Sequence, residues 1–205
     1  MRRAVFLDRD GVINAMVYHT EFGLVDSPAN PEEFRLLPNV SEAIRSINQL
    51  GFLAIVISNQ PGIAKGKFSP ALLEAMTEKM LIELRQEQAN IDAVYYCFHH
   101  PEGVVAEYRA ICECRKPKPG MLFKAAQEWD ISLPESYFIG DGITDVQAGY
   151  AAGVSTLLVY PSSRCYLCDE LTRQKVQPDH IVKNLLDGVH LIRQLEQQKQ
   201  GQVIL

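Results

Sequence analysis

No apolar run in this 205-residue chain approaches the length needed to cross a bilayer, and positive charge is not in excess: 20 Lys and Arg stand against 25 Asp and Glu, a net charge of −5. The first absence removes membrane spans from consideration. The second leaves no basic face to follow a nucleic-acid backbone, so neither a membrane nor a nucleic acid is an expected partner. Internal repeats and low-complexity tracts are also missing, which gives no ground for a repeat architecture. Cysteine is sparse and odd in number (Cys97, Cys112, Cys114, Cys165 and Cys168), and the tight Cys112-Glu113-Cys114 spacing suits a metal better than a disulfide framework. A reducing, cytoplasmic compartment is expected. A secretory signal is not, because the apolar stretch behind Arg2 and Arg3 breaks at Asp8.

What the chain does have is enough hydrophobic residues, 47%, to bury one full core. Residues 1–205 are therefore expected to form a single domain and a monomer, with an insertion at about 97–119. Strand-like apolar runs alternate with helical patterns along nearly the whole length, which argues for an α/β fold: a Rossmann-like parallel sheet with helices on both faces. The runs Ala4–Leu7, Leu53–Ile57, Ala93–Tyr96, Tyr137–Ile139, Ser155–Val159 and His180–Val182 read as strands. Between them, Asn39-Val40-Ser41-Glu42 resembles a capping box opening a helix to Leu50, with Gly51 as its stop. Ser69-Pro70 starts a long helix to about Ala89, with proline at the first helical position where it costs no hydrogen bond. Met76 and Met80 lie four apart on that helix and are expected in the core. Further helices are expected at Met121–Trp129, at Thr144–Ala152 and from Asn184 onward. Two stretches stand outside the alternation, 15–38 and 97–119, and loops that long inside a compact domain are usually functional or separately stabilised.

In an open parallel sheet, ligands bind beyond the carboxyl ends of the strands, and there the chemically capable residues gather. Asp8 and Asp10 follow the first strand at i and i+2, so both can face one site while Arg9 points away. One carboxylate can attack phosphorus and the other can move protons. Ser58, Asn59 and Gln60 end the second strand, before a loop whose Gly62 and Gly66 admit close approach of a ligand. Ser58 can hydrogen-bond a phosphoryl oxygen, and Asn59 and Gln60 are expected to contact substrate. Asp141, with Asp145 behind it, adds oxygens that suit Mg²⁺ better than a thiophilic metal. Lys116 would offset the crowded carboxylates.

In order and placement, Asp8-Arg9-Asp10-Gly11, Ser58-Asn59, Lys116 and Gly140-Asp141 with Asp145 resemble the four motifs of the haloacid dehalogenase (HAD) superfamily of phosphohydrolases. The resemblance implies a HAD-type sheet, a phosphatase acting on a small-molecule phosphate ester, Asp8 as nucleophile and Asp10 as general acid/base. It also implies Mg²⁺ held by the Asp8 carboxylate, the Asp10 backbone carbonyl and Asp141. The chain offers no region long enough for a large cap domain.

Cys97-Phe98-His99-His100-Pro101, paired with Cys112-Glu113-Cys114-Arg115-Lys116-Pro117, is similar to the zinc-containing branch of that superfamily, which includes heptose-bisphosphate and histidinol-phosphate phosphatases. Cys97, His99, Cys112 and Cys114 make a Cys₃His set that closes a tetrahedral Zn²⁺ and leaves no position for water, so the zinc would be structural. His100 is the alternative to His99, which the resemblance favours. Such a loop would set Arg115, expected to hold a distal anionic group of the substrate, beside Lys116. The branch often has a basic residue where this chain has Gly142, and its heptose-bisphosphate members have a shorter segment than Ala15–Pro38. Substrates weighed from sequence are therefore D-glycero-D-manno-heptose 1,7-bisphosphate first, then histidinol phosphate or a nucleic-acid 3′-phosphate. A non-catalytic zinc-stabilised module is the contrasting reading. Cys165-Tyr166-Leu167-Cys168 lacks the strand-then-helix context of a redox motif and reads as incidental.

Overall fold

The computed structural model describes residues 1–21, 23–162 and 166–202. Its centre is a six-stranded, all-parallel sheet in the order β5-β4-β1-β6-β7-β8. In chain order these strands are β1 (Ala4–Leu7), β4 (Leu53–Asn59), β5 (Ala93–Cys97), β6 (Tyr137–Gly140), β7 (Ser155–Val159) and β8 (His180–Val182). Alternation along β1 divides the interior in two. Val5 and Leu7 join the layer built with α1 (Val40–Gln49), α2 (Pro70–Gln86) and α6 (Leu185–Gln202), whose inward residues include Ile44, Ile47, Met76, Met80, Val189 and Ile192. Ala4 and Phe6 face the opposite layer, where α3 (Gly120–Trp129) and α4 (Ile143–Ala152) contribute Met121, Leu122, Ala125, Ala148 and Ala152. Helices thus cover both faces, as the alternation predicts, and Met76 and Met80 are fully buried core residues. Among the described residues no helix is long and apolar enough to cross a membrane.

Chain order makes β1 the switch point. The chain runs outward through β4 to β5, then returns to the other side of β1 as β6. That reversal opens a crevice beyond the carboxyl ends of β1, β4 and β6, the place where such sheets bind ligands.

Local expectations met three corrections. Asn39 does not form a capping box: its backbone is left-handed (φ 63°, ψ 10°) and its side chain makes no cap bond, whereas a side-chain cap requires extended backbone. Ser69 does cap α2, accepting from the Leu72 amide at 3.3 Å. The 15–38 stretch holds an antiparallel hairpin of β2 (Val17–His19) and β3 (Leu24–Asp26), strands too short to show a period in sequence. Between β7 and β8 lies a further helix, α5 (Tyr166–Arg173), which buries Leu171 against Val146 and Leu158 with Leu167 beside it. Cys168 sits on α5; Cys165 lies outside the described residues.

Ile55, in the middle of β4, has no exposed surface, whereas Tyr150 on α4 is 65% exposed. Ile55→Ala is therefore expected to cost about 2–5 kcal/mol of stability by loss of burial and creation of a cavity. Tyr150→Ala should stay within about 0.5 kcal/mol, and urea unfolding of the two variants checks the contrast.

Candidate functional site

The β1 ladder continues one residue past the strand, with the Asp8 amide donating to Ile139 O at 3.0 Å, and this sets Asp8 over the crevice. Gly11 then turns the chain in the left-handed region (φ +84°), and a Cβ there would lie 2.0 Å from Asp141 Oδ2. No other residue fits both demands. Asp8, Asp141 and Asp145 converge, with a carboxylate oxygen from each within 4.8 Å of the others.

Lys116 neutralises part of this group. It is 3% exposed, and its Nζ lies 2.9 Å from Asp8 Oδ1, 2.6 Å from Asp145 Oδ1 and 3.0 Å from Ile57 O. Burial disfavours its charge, but Asp145 and Asp8 outweigh that and raise its pKa. One lysine does not balance three carboxylates. Burial, with repulsion from Asp145 and Asp10, pushes Asp8 up to about 6 despite Lys116. Burial and the charges of Asp8 and Asp145 push Asp141 up to about 7. Asp145 is otherwise engaged, since its Oδ2 accepts from the Gly142 amide at 2.9 Å and caps α4 while Oδ1 meets Lys116. Capping and ion pairing are both its work. Asp8 and Asp141 are then the oxygens left facing the crevice, and their unbalanced charge suits a hard divalent cation.

Ser58 is buried at the end of β4, its Oγ accepting from Gln60 Nε2 at 3.1 Å. Three residues depart from the sequence reading. Arg9 does not point away: it is fully buried, and its Nη2 reaches Asp10 Oδ1 at 3.0 Å. Gln60, expected at the substrate, is 1% exposed, and its Nε2 donates to Asp10 Oδ2 at 2.8 Å. Asn59 turns to the main chain of Lys116, Nδ2 donating to the Lys116 carbonyl and Oδ1 accepting from its amide, both at 3.0 Å. That two-way amide clamp ties the end of β4 to Lys116, 57 residues further on. Asn14 was not anticipated. It is fully buried and donates to Asp10 Oδ1 at 2.9 Å, and the only hint in sequence is its closeness to Gly11.

The 97–119 segment gathers Cys97, His99, Cys112 and Cys114, with ligand atoms all within 4.8 Å of one another. The Cys97–Cys112 sulfurs are 3.6 Å apart and His99 Nδ1 lies 3.4 Å from Cys114 Sγ. Cys114 Sγ lies 3.1 Å from Cys97 Sγ and 3.2 Å from Cys112 Sγ; tetrahedral Zn–S bonds of about 2.3 Å place sulfurs about 3.8 Å apart, so the donor set suits zinc once Cys114 moves out by about 0.7 Å. His100 faces elsewhere, its Nδ1 accepting from the Glu102 amide at 3.1 Å. Arg115 is half-buried on the same loop and donates to His99 O at 3.4 Å. Burial and the nearby charges of Arg115 and Lys65 lower the His100 pKa, against the opposing charge of Glu102. On the other side, a cleft of about 510 Å³ opens between Gly11, Asn39, Asp141, Tyr160, Lys183 and Leu185.

A HAD-hydrolase-like family model matches residues 113–188. D-glycero-β-D-manno-heptose-1,7-bisphosphate 7-phosphatase from Escherichia coli K12 is 43% identical over 153 residues, 75% of this chain and 76% of that one. The phosphatase of the same name from Rhodopseudomonas palustris is 41% identical, covering 75% and 81%. Among solved structures, D,D-heptose 1,7-bisphosphate phosphatase from B. bronchiseptica, complexed with magnesium and phosphate, superposes with a TM-score of 0.75 at 29% identity, covering 94% of this chain and 98% of that one. Identity at this level across three quarters of both sequences, joined to a shared fold over nearly the full length, shows that the protein is a phosphatase and belongs to the heptose-bisphosphate phosphatase branch of the HAD-like hydrolases.

Proposed function

We propose that this phosphatase hydrolyses a phosphomonoester of a small sugar phosphate, with D-glycero-D-manno-heptose 1,7-bisphosphate as the leading substrate, through an aspartyl-phosphate intermediate. The observation that carries the reading is the strand-end group in which buried Lys116 is shared by Asp8 and Asp145 while Asp141 stands beside Asp8. The branch to which the chain belongs supports the substrate class.

In the first half-reaction an Asp8 oxygen attacks phosphorus; the bond from phosphorus to the ester oxygen breaks as the Asp8–phosphorus bond forms, and the departing alkoxide takes a proton from Asp10. In the second, Asp10 takes a proton from water as that water attacks phosphorus, which returns the Asp8 carboxylate and releases inorganic phosphate. Lys116 orients Asp8 and meets charge on the phosphoryl oxygens, and Ser58 stands at the neighbouring strand end to hydrogen-bond one of them. Asp8, the Asp10 carbonyl and Asp141 would hold Mg²⁺, which when bound neutralises the carboxylates and the phosphoryl group. Cys97, His99, Cys112 and Cys114 would hold a structural Zn²⁺, bracing a loop with little apolar packing of its own.

A phosphate-release panel of heptose 1,7-bisphosphate, histidinol phosphate and an oligonucleotide 3′-phosphate should show kcat/KM highest for the sugar bisphosphate. A higher value for either competitor replaces the substrate assignment. Asp8→Asn should lower turnover by at least about 10³-fold in folded protein checked by mass for deamidation, because the amide cannot form the acyl phosphate.

Protein purified without added metal should carry about one zinc per chain by elemental analysis. Cys112→Ser should lose that zinc and melt at lower temperature. Zinc-free protein with freely titratable thiols at Cys97, Cys112 and Cys114 would leave the loop assignment without support.

Arg115→Ala should raise KM for the sugar bisphosphate at least about 10-fold, but hardly at all for p-nitrophenyl phosphate, which has no distal anion for the guanidinium to hold. An equal loss for both esters moves Arg115 to the transferring phosphoryl group.

A further inference from the structure

Among the described residues Arg9 is the largest fully buried side chain, and it is a cation. Among the described residues, its ion-pair partner is Asp10, its own neighbour in sequence. Neighbours at a strand end ordinarily diverge. Here they meet because the chain doubles back at once: the amides of Ile13 and Asn14 both donate to Arg9 O, at 2.8 and 3.0 Å.

The result is a carboxylate gripped on both oxygens. Asp10 Oδ1 accepts from Arg9 Nε at 3.2 Å, Arg9 Nη2 at 3.0 Å and Asn14 Nδ2 at 2.9 Å. Oδ2 accepts from Arg9 Nη2 at 3.2 Å and Gln60 Nε2 at 2.8 Å. Gln60 closes the ring, its Oε1 accepting from Arg9 Nη2 at 3.2 Å and its amide nitrogen reaching Ser58 Oγ at 3.1 Å. The guanidinium is backed by the Tyr96 ring, 5.7 Å from its centroid, and the Tyr96 hydroxyl is hydrogen-bonded to Thr77 of α2 at 2.9 Å.

As a source of stability this arrangement is poor. A buried ion pair rarely outperforms well-packed apolar residues of the same volume, and among the described residues Arg9 Nη1 is buried with no hydrogen-bond partner. What the arrangement does supply is orientation. A planar fork, two amides and an aromatic backing remove the rotational freedom of one carboxyl group, and proton transfer to the leaving oxygen needs the protonated carboxyl group aimed at it.

We propose that Arg9, with Gln60 and Asn14, is a positioning residue for Asp10 that aims its carboxyl group for proton delivery to the leaving alcohol. Gln60 also couples that aim to Ser58 on the phosphoryl side. The proposal rests on the role given above to Asp10 as general acid/base. It replaces a substrate contact at Gln60 with a supporting one.

The test uses leaving groups of different need. Arg9→Met and Gln60→Met, both of which preserve volume, are assayed by kcat/KM, which covers the steps up to departure of the alcohol. The substrates are a sugar phosphate and 2,4-dinitrophenyl phosphate, whose phenolate departs without a proton. Both variants should lose about 10²-fold on the sugar phosphate and less than about 5-fold on the dinitrophenyl ester. Asp10→Asn run in parallel should show the same split, more strongly. Equal loss on the two esters, or no loss, in folded Arg9 and Gln60 variants overturns the positioning role while an Asp10→Asn split leaves the mechanism standing. An Asp10→Asn variant that treats both esters alike overturns the acid role of Asp10 and the positioning proposal with it. If Arg9→Met does not fold, Gln60→Met, which removes one amide and no charge, decides the matter by the same comparison.

Discussion

The buried ammonium of Lys116, held between Asp8 and Asp145, is the interaction on which the rest of the site depends. A lysine taken out of water loses several kcal/mol of hydration, and only close anions with good geometry offset that. Each of its partners comes from a different part of the sheet: Asp8 from the end of β1, Asp145 from the first turn of α4 beyond β6, and the Ile57 carbonyl from β4. The parallel order β4-β1-β6 is what lets one side chain span all three. Removing the ammonium would leave Asp8 and Asp145 without the cation they share, beside Asp141.

Lys116 itself belongs to no strand or helix, so its placement rests on the loop that carries it. Two devices act there. The Asn59 amide grips the Lys116 peptide from both sides, and three cysteines with His99 gather directly upstream. Short loops fix themselves by turn chemistry, but a segment of this length with exposed Val104 and Ile111 cannot rely on its own packing. A four-ligand metal centre would supply the missing cross-link, and it would do so within two residues of Lys116.

The elements were legible where packing repeats a simple period. Six strands and the helices around them follow from apolar alternation, and Ser69-Pro70 marks the start of α2 because cap and proline act on local backbone. Asn39 shows the limit of that reasoning: the same residue type that caps a helix from extended backbone also tolerates the left-handed region, and here it adopts the latter. The short α5, with Leu171 buried and Leu167 only partly so, carried too few apolar positions to stand out from a loop. Its signal, Leu167 and Leu171 four residues apart, becomes meaningful only once Val146 and Leu158 are in place beneath it.

The inventory of the site was present in the sequence. Carboxylates and serine stand at or just beyond strand ends, lysine and most of a Cys₃His set stand in the 97–119 loop, and reaction type follows from residue type and order. Which way Arg9, Asn59 and Gln60 face was not present. Alternation predicts that Arg9 diverges from Asp10, yet the immediate return of the chain to Asn14 leaves no water on that side, and a buried guanidinium must find an anion. Asn59 and Gln60 look like ligand contacts at the end of a strand until Lys116 and Asp10 arrive from 57 and 50 residues away and take their hydrogen bonds. Sequence determined which groups this protein brings to a phosphate ester. Tertiary structure decided which of them face the crevice and which hold the others in place, because buried polar groups are assigned by the partners that folding brings within reach.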